Sequence, residues 1–406
     1  MVRAPHLYQS LRAFCLAAFA AERGAELPFA FEEHATRAGP SLYEYRPLVR
    51  AFLDSQAPTL RRLPDARNAI ADLHREPAAA IFARAHSGVG GSDDDALFRS
   101  VLLPLLAATA DRCGGFDWHD DAFELAYRDL ERSLFGTARS YAAVAPLVGL
   151  AAGSLVDLGG DIRVRAAVTG ELAQLWPESQ GLLPPAFGRD VDRLCVLELA
   201  RELDRPDGDL PDAAAELADA VTALRLATAG AVAAGPVVFE RLDFQPLQVA
   251  PLLPIAATQP LGEPTRLDSL RGRLAADLRE RLPAADDDRE LAEALDRWEL
   301  SLFADEPFRS AHVRESLVAL LSGGDGAWAA SLRIAVLVGE EGTERAALLG
   351  ALREDRLGRV ARDAVRRALV ATFLHGNRAD LVGALDESVL GLRPRPETVQ
   401  PSATAA

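Results

Sequence analysis

Four short segments decide the fold of the C-terminal third of this chain. They read LDRWE at 295–299, VRESLVALL at 313–321, SLRIAVLVG at 331–339 and FLHG at 373–376. Apolar residues recur in these segments at spacings of three and four, which is the period of an amphipathic helix. Short loops rich in Gly, Pro and Asp separate the helical segments. The pattern therefore predicts five helices with short connections, a helical bundle over residues 266–393.

Upstream of the bundle the apolar pattern changes its period. Residues 161–168 read DIRVRAAV and alternate between apolar and polar side chains, as a half-buried strand does. The other expected elements are strands at 140–150, 194–199 and 236–242, a helix at 213–226, and an extended or loop segment at 246–264. These elements predict a small α+β unit over residues 135–265.

Residues 1–134 are predicted to form a helical N-terminal region. Its first helix has a clear apolar face, because Leu7, Leu11, Phe14 and Ala18 recur at helical spacing. Arginines before an apolar run also give this segment a faint signal-peptide character. The amphipathic helix is the interpretation we favour, since a charged segment follows directly.

Two stretches are predicted to be irregular. Residues 88–95 are rich in Gly, Ser and Asp and predict a polar loop, since they lack the residues that a phosphate-binding loop needs next. Residues 394–406 combine proline with small residues and predict a disordered tail. With the three folded regions, the predicted fold class is α+β, mainly α.

The charge of the chain excludes several classes of protein. Its net charge is −16, and all 44 basic residues are arginine. Without lysine there is no P-loop lysine, no Schiff-base lysine and no kinase-type ATP lysine. Salt adaptation and a GC-rich genome would both produce this composition. An acidic protein does not attract nucleic acid over its whole surface, so any RNA contact requires a local arginine patch.

The remaining residue types do not predict a metal or a cofactor. Cys15, Cys113 and Cys195 are far apart and odd in number, as expected for buried thiols of a reducing, cytoplasmic compartment. Residues 118–121 (WHDD) and 286–288 (DDD) are interpreted as solvated turns. No apolar run reaches the ~18 residues that a membrane-spanning helix needs, so we expect no membrane partner.

The C-terminal region resembles the Apea-like branch of the HEPN family. Three segments carry the resemblance: residues 294–299, continuing into 317–321; residues 331–339; and the helix that ends at 373–376. Family members are typically helical bundles that form homodimers. Many are metal-independent ribonucleases, in which an Arg and a His separated by four to six residues face their counterparts across the dimer. The resemblance thus implies a homodimer through the C-terminal bundle, with RNA as partner, acting in defence or stress.

The resemblance places the catalytic histidine at His375. A histidine can take the proton of an RNA 2′-hydroxyl, and an arginine can neutralise the charge that grows on the phosphate. Residues 368–370, where the family arginine would lie, are Ala, Leu and Val. Arg367, eight residues before His375, and Arg333 from a neighbouring helix are the candidate replacements. Val318 stands where the family often has a glutamate.

Each of these residues also has a plain structural interpretation. His375 with Gly376 would be a helix C-terminus, and Arg333 would be a buried arginine paired with an acid. Arg366 and Arg367 would form a solvated basic face. At the level of function, RNA cleavage or sensing competes with two alternatives. One is an inactive HEPN scaffold for dimerisation or partner binding, and the other is regulation by a nucleotide in the same cleft.

Overall fold

The computed structural model describes residues 4–34, 42–87, 93–136, 139–167, 171–176, 179–183, 195–203, 210–243, 245–258 and 264–396. The glycine-rich segment 88–92 and residues 397–406 of the expected tail lie outside the described residues. Helices make up 60% of the structure and accompany a smaller sheet region. The predicted class, α+β and mainly α, is therefore confirmed.

The N-terminal region is built of helices around a core of its own. Its helices are α1 Pro5–Ala21, α2 Val49–Leu60, α3 Pro64–Leu73, α4 Pro77–Ser87, α5 Asp93–Leu97, a π-helical turn Phe98–Leu102, α6 Leu103–Cys113 and α7 Asp120–Phe135. The apolar face predicted for α1 is buried, with Leu7, Leu11, Phe14 and Ala18 inside.

Two features of this region differ from the sequence-based expectation. An antiparallel hairpin, β1 Phe29–His34 and β2 Leu42–Pro47, interrupts the helices. The expected polar loop at 88–95 gives way to helix α5 at Asp93. Hairpin pairing depends on a partner strand and on packing that the segment's own sequence does not specify.

The middle region is an antiparallel sheet with one long helix. Its elements are β3 Arg139–Val148, β4 Leu150–Ala152, β5 Val156–Asp157, β6 Ile162–Ala166, α8 Glu171–Leu175, α9 Ser179–Leu182, β7 Cys195–Leu203, α10 Ala213–Thr228, β8 Ala233–Ala234, β9 Val237–Leu242, β10 Gln245–Pro251 and β11 Thr265–Leu267. The strand order is β10-β9-β3-β7-β6-β5, β8 pairs with β3, and β11 pairs in parallel with β4.

The sheet separates two apolar layers. Tyr141, Ala143 and Leu147 of β3 face the large core on the side of α10, while Val144 faces a small cluster with Trp176. This alternation is the period of two that a strand imposes. The proline-rich run expected to be extended or loop contains β10, which lies at the sheet edge, where proline is tolerated.

The C-terminal region is a bundle that follows directly from β11. Its helices are α11 Ser269–Arg279, a 3₁₀ turn Leu282–Ala285, α12 Arg289–Phe303, α13 Phe308–Leu321, α14 Gly326–Val338, α15 Gly342–Leu352, α16 Arg359–His375 and α17 Arg378–Val389. The sequence predicted five helices, and its last helical segment is divided here into α15, α16 and α17. Gly376 ends α16 in a left-handed conformation, and Asn377 caps α17 by accepting from the Asp380 N–H at 3.1 Å.

One continuous hydrophobic core runs through the sheet and the bundle. It includes Leu217 and Leu224 of α10, Leu295 of α12 and Val365 of α16. The core thus crosses the boundary expected near residue 265, and the two regions pack around the same interior. Within the part of the chain that the structure describes, no helix combines the length and apolar character needed to cross a membrane.

Candidate functional site

Arg333 lies in α14 and is buried, with 5% of its surface exposed. Nε and Nη2 donate to the Asp386 carboxylate at 2.7 and 2.9 Å, and Nη2 also donates to Asp325 at 2.6 Å. Nη1 donates to the backbone oxygens of Leu321 and Ser322. These contacts occupy every N–H donor of the guanidinium. Arg333 therefore has the geometry of the paired structural arginine and has no donor left for a phosphate.

His375 is the last residue of α16, and its side chain is exposed. The N–H of Gly376 donates to the Thr372 oxygen at 3.0 Å, and Gly376 has a φ of 86°. This is the left-handed helix cap that the structural interpretation of His375 predicts. Among the described residues, none forms a hydrogen bond or an ion pair with the imidazole.

Arg367 is exposed on α16, and its Nη2 donates to the backbone oxygen of Val338 at 3.1 Å. It precedes His375 by eight residues, which corresponds to about 12 Å along the helix and roughly 80° around it. Within the described ranges, no hydrogen bond or ion pair joins His375 to Arg367 or to Arg333. The three predicted site residues therefore share no polar contact within the described part of the chain.

Arg366 was expected on a solvated face, and this prediction is wrong. Its side chain is half-buried, with Nη1 donating to the Leu226 oxygen at 2.7 Å and Nε donating to Asp363 at 3.0 Å. Leu226 lies near the C-terminal end of α10, so Arg366 joins the bundle to the middle region. The periodicity of α16 alone could not show that another region covers this face.

A groove of about 960 Å³ opens beside Arg366, where the end of α10 and β11 meet the bundle helices. Its walls come from α10, β11, α11, α12, α13, α15 and α16. We call it the arginine groove, because these arginines line it: Arg271, Arg309, Arg359, Arg362, Arg366 and Arg367. Its volume lies within the range of roughly 300–1,000 Å³ that is usual for ligand sites.

The arginine groove is a basic site on an acidic protein. Among the described residues that line it, Glu344 and Asp363 are the two carboxylates, against six arginines. Both carboxylates are already engaged, since Asp363 accepts from Arg366 and Glu344 accepts from the Glu340 N–H at 2.7 Å. With a net charge of −16 over the chain, this local excess of cations marks the groove as a site for an anion.

Arg271, Arg309 and Arg366 of the groove pair with Asp268, Asp305 and Asp363, whereas Arg362 forms no ion pair with a described residue. Burial, together with the like charges of Arg309 and Arg359, holds the pKa of Arg362 below its ordinary value. The Nε of Arg362 is buried and has no hydrogen-bond partner within the described residues. A buried donor without a partner is costly unless a ligand or water meets it. The arrangement is therefore suited to accept a hydrogen-bonding anion.

A buried ion pair holds the two sides of the groove together. Arg225 of α10 is fully buried and donates from Nη1 to Glu299 of α12 at 3.0 Å and from Nε to the Val232 oxygen at 2.7 Å. Thr222 also donates to Glu299, at 2.9 Å, and the Phe303 ring lies 4.7 Å from the guanidinium. The groove is thus built on a polar contact that fixes α10 against α12.

A tight turn at the end of α10 forms part of the groove wall. Ala229 ends α10 with a φ of 58°, in the left-handed region. At Gly230 a Cβ atom would collide with the Thr265 side chain of β11, so the close approach of these two segments requires glycine. Ala229 and Thr265 both line the groove. The turn therefore sets the position of this wall.

Sequence reasoning missed the groove, although part of its signal was local. Arg359, Arg362 and Arg366 are spaced by three and four residues and lie within roughly 60° of one another around α16. That spacing could have identified a basic stripe on one helix face. Arg271 and Arg309 come from other helices, and only the tertiary packing brings them to the same place.

The tryptophans and acidic residues of the bundle lie in different environments. Trp298 is buried, whereas Trp328 is 56% exposed. Of the three acids at 286–288, Asp288 caps α12 by accepting from Leu291 N–H at 3.0 Å and pairs with Arg378 at 2.8 Å. Within the described residues, no cluster of three His, Cys, Asp or Glu side chains could hold a metal ion.

Comparisons of the chain with protein-family models, with curated proteins and with solved structures found no match. The resemblance to the HEPN family therefore remains a prediction from the three C-terminal segments.

Proposed function

We propose that this protein binds single-stranded RNA in the arginine groove and acts as an RNA sensor. The observation that carries the proposal is the convergence of six arginines on one groove of a chain with net charge −16. A guanidinium group can donate two parallel hydrogen bonds to phosphate oxygens. Proteins that bind single-stranded nucleic acid commonly hold its backbone in a basic groove. The resemblance to the HEPN family supports RNA as the polyanion. It also supports a cytoplasmic location and a role in defence or stress.

Binding is a better match to the groove than cleavage by the same chain. His375 lies eight residues after Arg367, the last groove arginine of α16, which is about 12 Å along the helix and roughly 80° around it. The histidine is not among the residues that line the groove. A strand held by the groove arginines is therefore bound without a general base from the same chain.

The test is a titration of a fluorescently labelled single-stranded RNA with the full chain, followed by anisotropy. Arg359→Gln and Arg367→Gln change exposed groove arginines and should each weaken binding by about tenfold, because each removes a charge-assisted contact to phosphate. Arg353→Gln is the matched control, since Arg353 is exposed near α16 but does not line the groove.

The salt dependence of binding gives a second readout. For single strands, the logarithm of the association constant falls by about 0.7 per neutralised phosphate for each tenfold rise in salt. Each groove variant should lower this slope, and Arg353→Gln should not. Equal affinity of wild type, both groove variants and the control would remove the groove as the binding site and favour the scaffold alternative.

A second candidate function is metal-independent RNA cleavage in a homodimer. The observation that favours it is the exposure of His375, which leaves the imidazole accessible to a second copy of the chain. In that arrangement His375 of each copy would meet an arginine of its partner, as the HEPN resemblance implies. His375 would take the proton of the 2′-hydroxyl, and the 2′-oxygen would attack the adjacent phosphate. The bond from phosphorus to the 5′-oxygen of the next nucleotide would break, which leaves a cyclic phosphate on one product and a 5′-hydroxyl on the other.

The cleavage candidate is tested with His375→Ala in the full chain. Loss of RNA cleavage, insensitivity of the wild-type activity to chelators and cyclic-phosphate products would support it, together with a dimer in light scattering. A strictly monomeric chain, or cleavage that persists in His375→Ala, would exclude it. Neither result affects the groove proposal, which concerns binding alone.

A further inference from the structure

One end of the arginine groove concentrates charge at the start of α16. The helix begins at Arg359 after Gly358, without a side-chain cap and without an acidic residue in its first turn. Arg362 follows in the same turn, and Arg309 enters from the first turn of α13. The N-terminus of a helix carries a partial positive charge from its free amides, which repels cations and attracts anions. The positive end of the α16 dipole therefore disfavours the three arginines that lie here.

These three arginines retain donors that the protein does not use. Arg359 forms no hydrogen bond or ion pair with any described residue, and the Nε of Arg362 is buried without a partner there. Arg309 donates from Nε to the Ala304 oxygen at 2.7 Å, while its Nη2 lies 3.7 Å from Asp305. By contrast, all N–H donors of the Arg333 guanidinium are used in contacts with Asp325, Asp386 and backbone oxygens. Arg309, Arg359 and Arg362 all line the arginine groove.

The nearby counter-charge is too small to neutralise this cluster. Glu306 is the carboxylate that acts on Arg362, and one of its oxygens accepts from the Ser310 hydroxyl at 2.7 Å. With Asp305 beside Arg309, two carboxylates thus stand against three guanidinium groups and the positive end of α16. A net positive charge remains at these residues, which a phosphate group would neutralise.

We infer that Arg309, Arg359 and Arg362 bind the terminal phosphate of the RNA. This inference rests on the proposed function of the groove. A terminal phosphomonoester has three free oxygens and nearly two negative charges, whereas a phosphodiester within the strand has one. The guanidinium forks and the free amides of α16 match such a dianion. The remaining nucleotides would run along the groove towards Arg366 and Arg367.

The experiment compares three versions of one short RNA, with a 5′-phosphate, with a 3′-phosphate and with hydroxyls at both ends. The full chain should bind one phosphorylated version about tenfold more tightly than the hydroxyl version, because extra charge-assisted contacts form. Arg362→Gln should abolish this preference. Arg309→Gln should do the same and serves if Arg362→Gln does not fold, and Arg353→Gln should retain the preference.

The outcomes separate this inference from the proposed function. Equal binding of the three RNAs, with the effects of Arg359→Gln and Arg367→Gln retained, would overturn the terminal-phosphate site and leave groove binding intact. Absence of RNA binding would overturn both. Competition by AMP at the concentration at which phosphorylated RNA binds would show that a free nucleotide is the ligand, and would overturn the assignment to an RNA end.

Discussion

The Arg225 guanidinium donates to the Glu299 carboxylate at 3.0 Å, and both side chains are inaccessible to solvent. The two residues are 74 positions apart and come from α10 and α12, on either side of the boundary expected from composition. Backbone oxygens of Val232 and Ile255 satisfy other donors of Arg225. The pair therefore fixes α10 against α12, two helices that line the arginine groove, and unites the sheet with the bundle.

Removing one partner of this pair should destabilise the protein strongly. Glu299→Ala leaves a buried guanidinium without its counter-charge, which typically costs about 3–5 kcal/mol of unfolding free energy. Denaturant unfolding followed by circular dichroism measures the change. Glu315→Ala is the control, because Glu315 is half-exposed and pairs with Arg297 at the surface, 3.1 Å away. This control should change stability by less than about 1 kcal/mol. Equal effects of the two variants would contradict a stabilising role of the buried Arg225–Glu299 pair.

Arg333 should be needed for stability and not for RNA binding. Arg333 donates both to Asp386 of α17 and to the backbone oxygens at the end of α13. Arg333→Ala leaves these acceptors without a donor, which should reduce the unfolding free energy by about 1–3 kcal/mol. RNA affinity per folded molecule, measured by anisotropy at a temperature where the variant is folded, should equal that of wild type. A tenfold loss of affinity would place Arg333 in the binding site.

Acid should destabilise the chain through His86, which lies between α4 and the sheet. Its Nδ1 contacts the Phe82 oxygen at 2.9 Å, and Nε2 lies 3.8 Å from Asp243. Burial lowers the pKa of His86, although Asp243 opposes this effect. The unfolded chain therefore binds the proton first, and stability should fall as pH decreases below about 6.5 towards the lowered pKa.

The measurement is the melting temperature from pH 7.5 to pH 5.5. His86→Gln should flatten the decrease, whereas His74→Gln, at an exposed position, should not. Asp243 has the opposite sign, because burial raises its pKa and the folded state binds the proton first, which favours folding as pH falls. Asp243→Asn should therefore steepen the acid loss, and an identical pH profile for all variants would contradict both assignments.

Salt should raise the melting temperature of the whole protein. With a net charge of −16, repulsion between surface carboxylates opposes the compact state at low ionic strength, and added salt screens it. Calorimetry from low to molar sodium chloride measures the effect. A flat response would indicate that the absence of lysine reflects codon usage and not adaptation to salt.

The elements that sequence predicted well are those whose own pattern determines them. The alternation at 161–168 predicted β6, and the apolar face of α1 followed from its spacing. The arginine groove depends instead on where helices cross. Arg225 sits in an alanine-rich helix whose sequence contains no sign that Glu299 will meet it, and Arg309 reaches α16 only because α13 packs there.

The surroundings of the predicted site residues could not be predicted for a related reason. A motif fixes the distance between residues along one helix, and the eight-residue separation of Arg367 and His375 is evident from the sequence. The packing of α10 against α16 is not, although Arg366 donates to the Leu226 oxygen there. Sequence spacing thus located His375 at a helix end but could not show which residues of α16 line the groove.

The arginine groove has walls from segments that are far apart in the chain, since Ala229 and Thr265 line it together with Arg359 and Arg367. A ligand that touches both walls binds only the assembled protein, so thermodynamic linkage makes its binding energy a contribution to assembly. At a ligand concentration one hundred times the dissociation constant, this contribution is about 2.7 kcal/mol. Binding of a ligand in the groove would therefore stabilise the contact between α10 and α12. A sensor of this kind would be more resistant to unfolding when its ligand is bound.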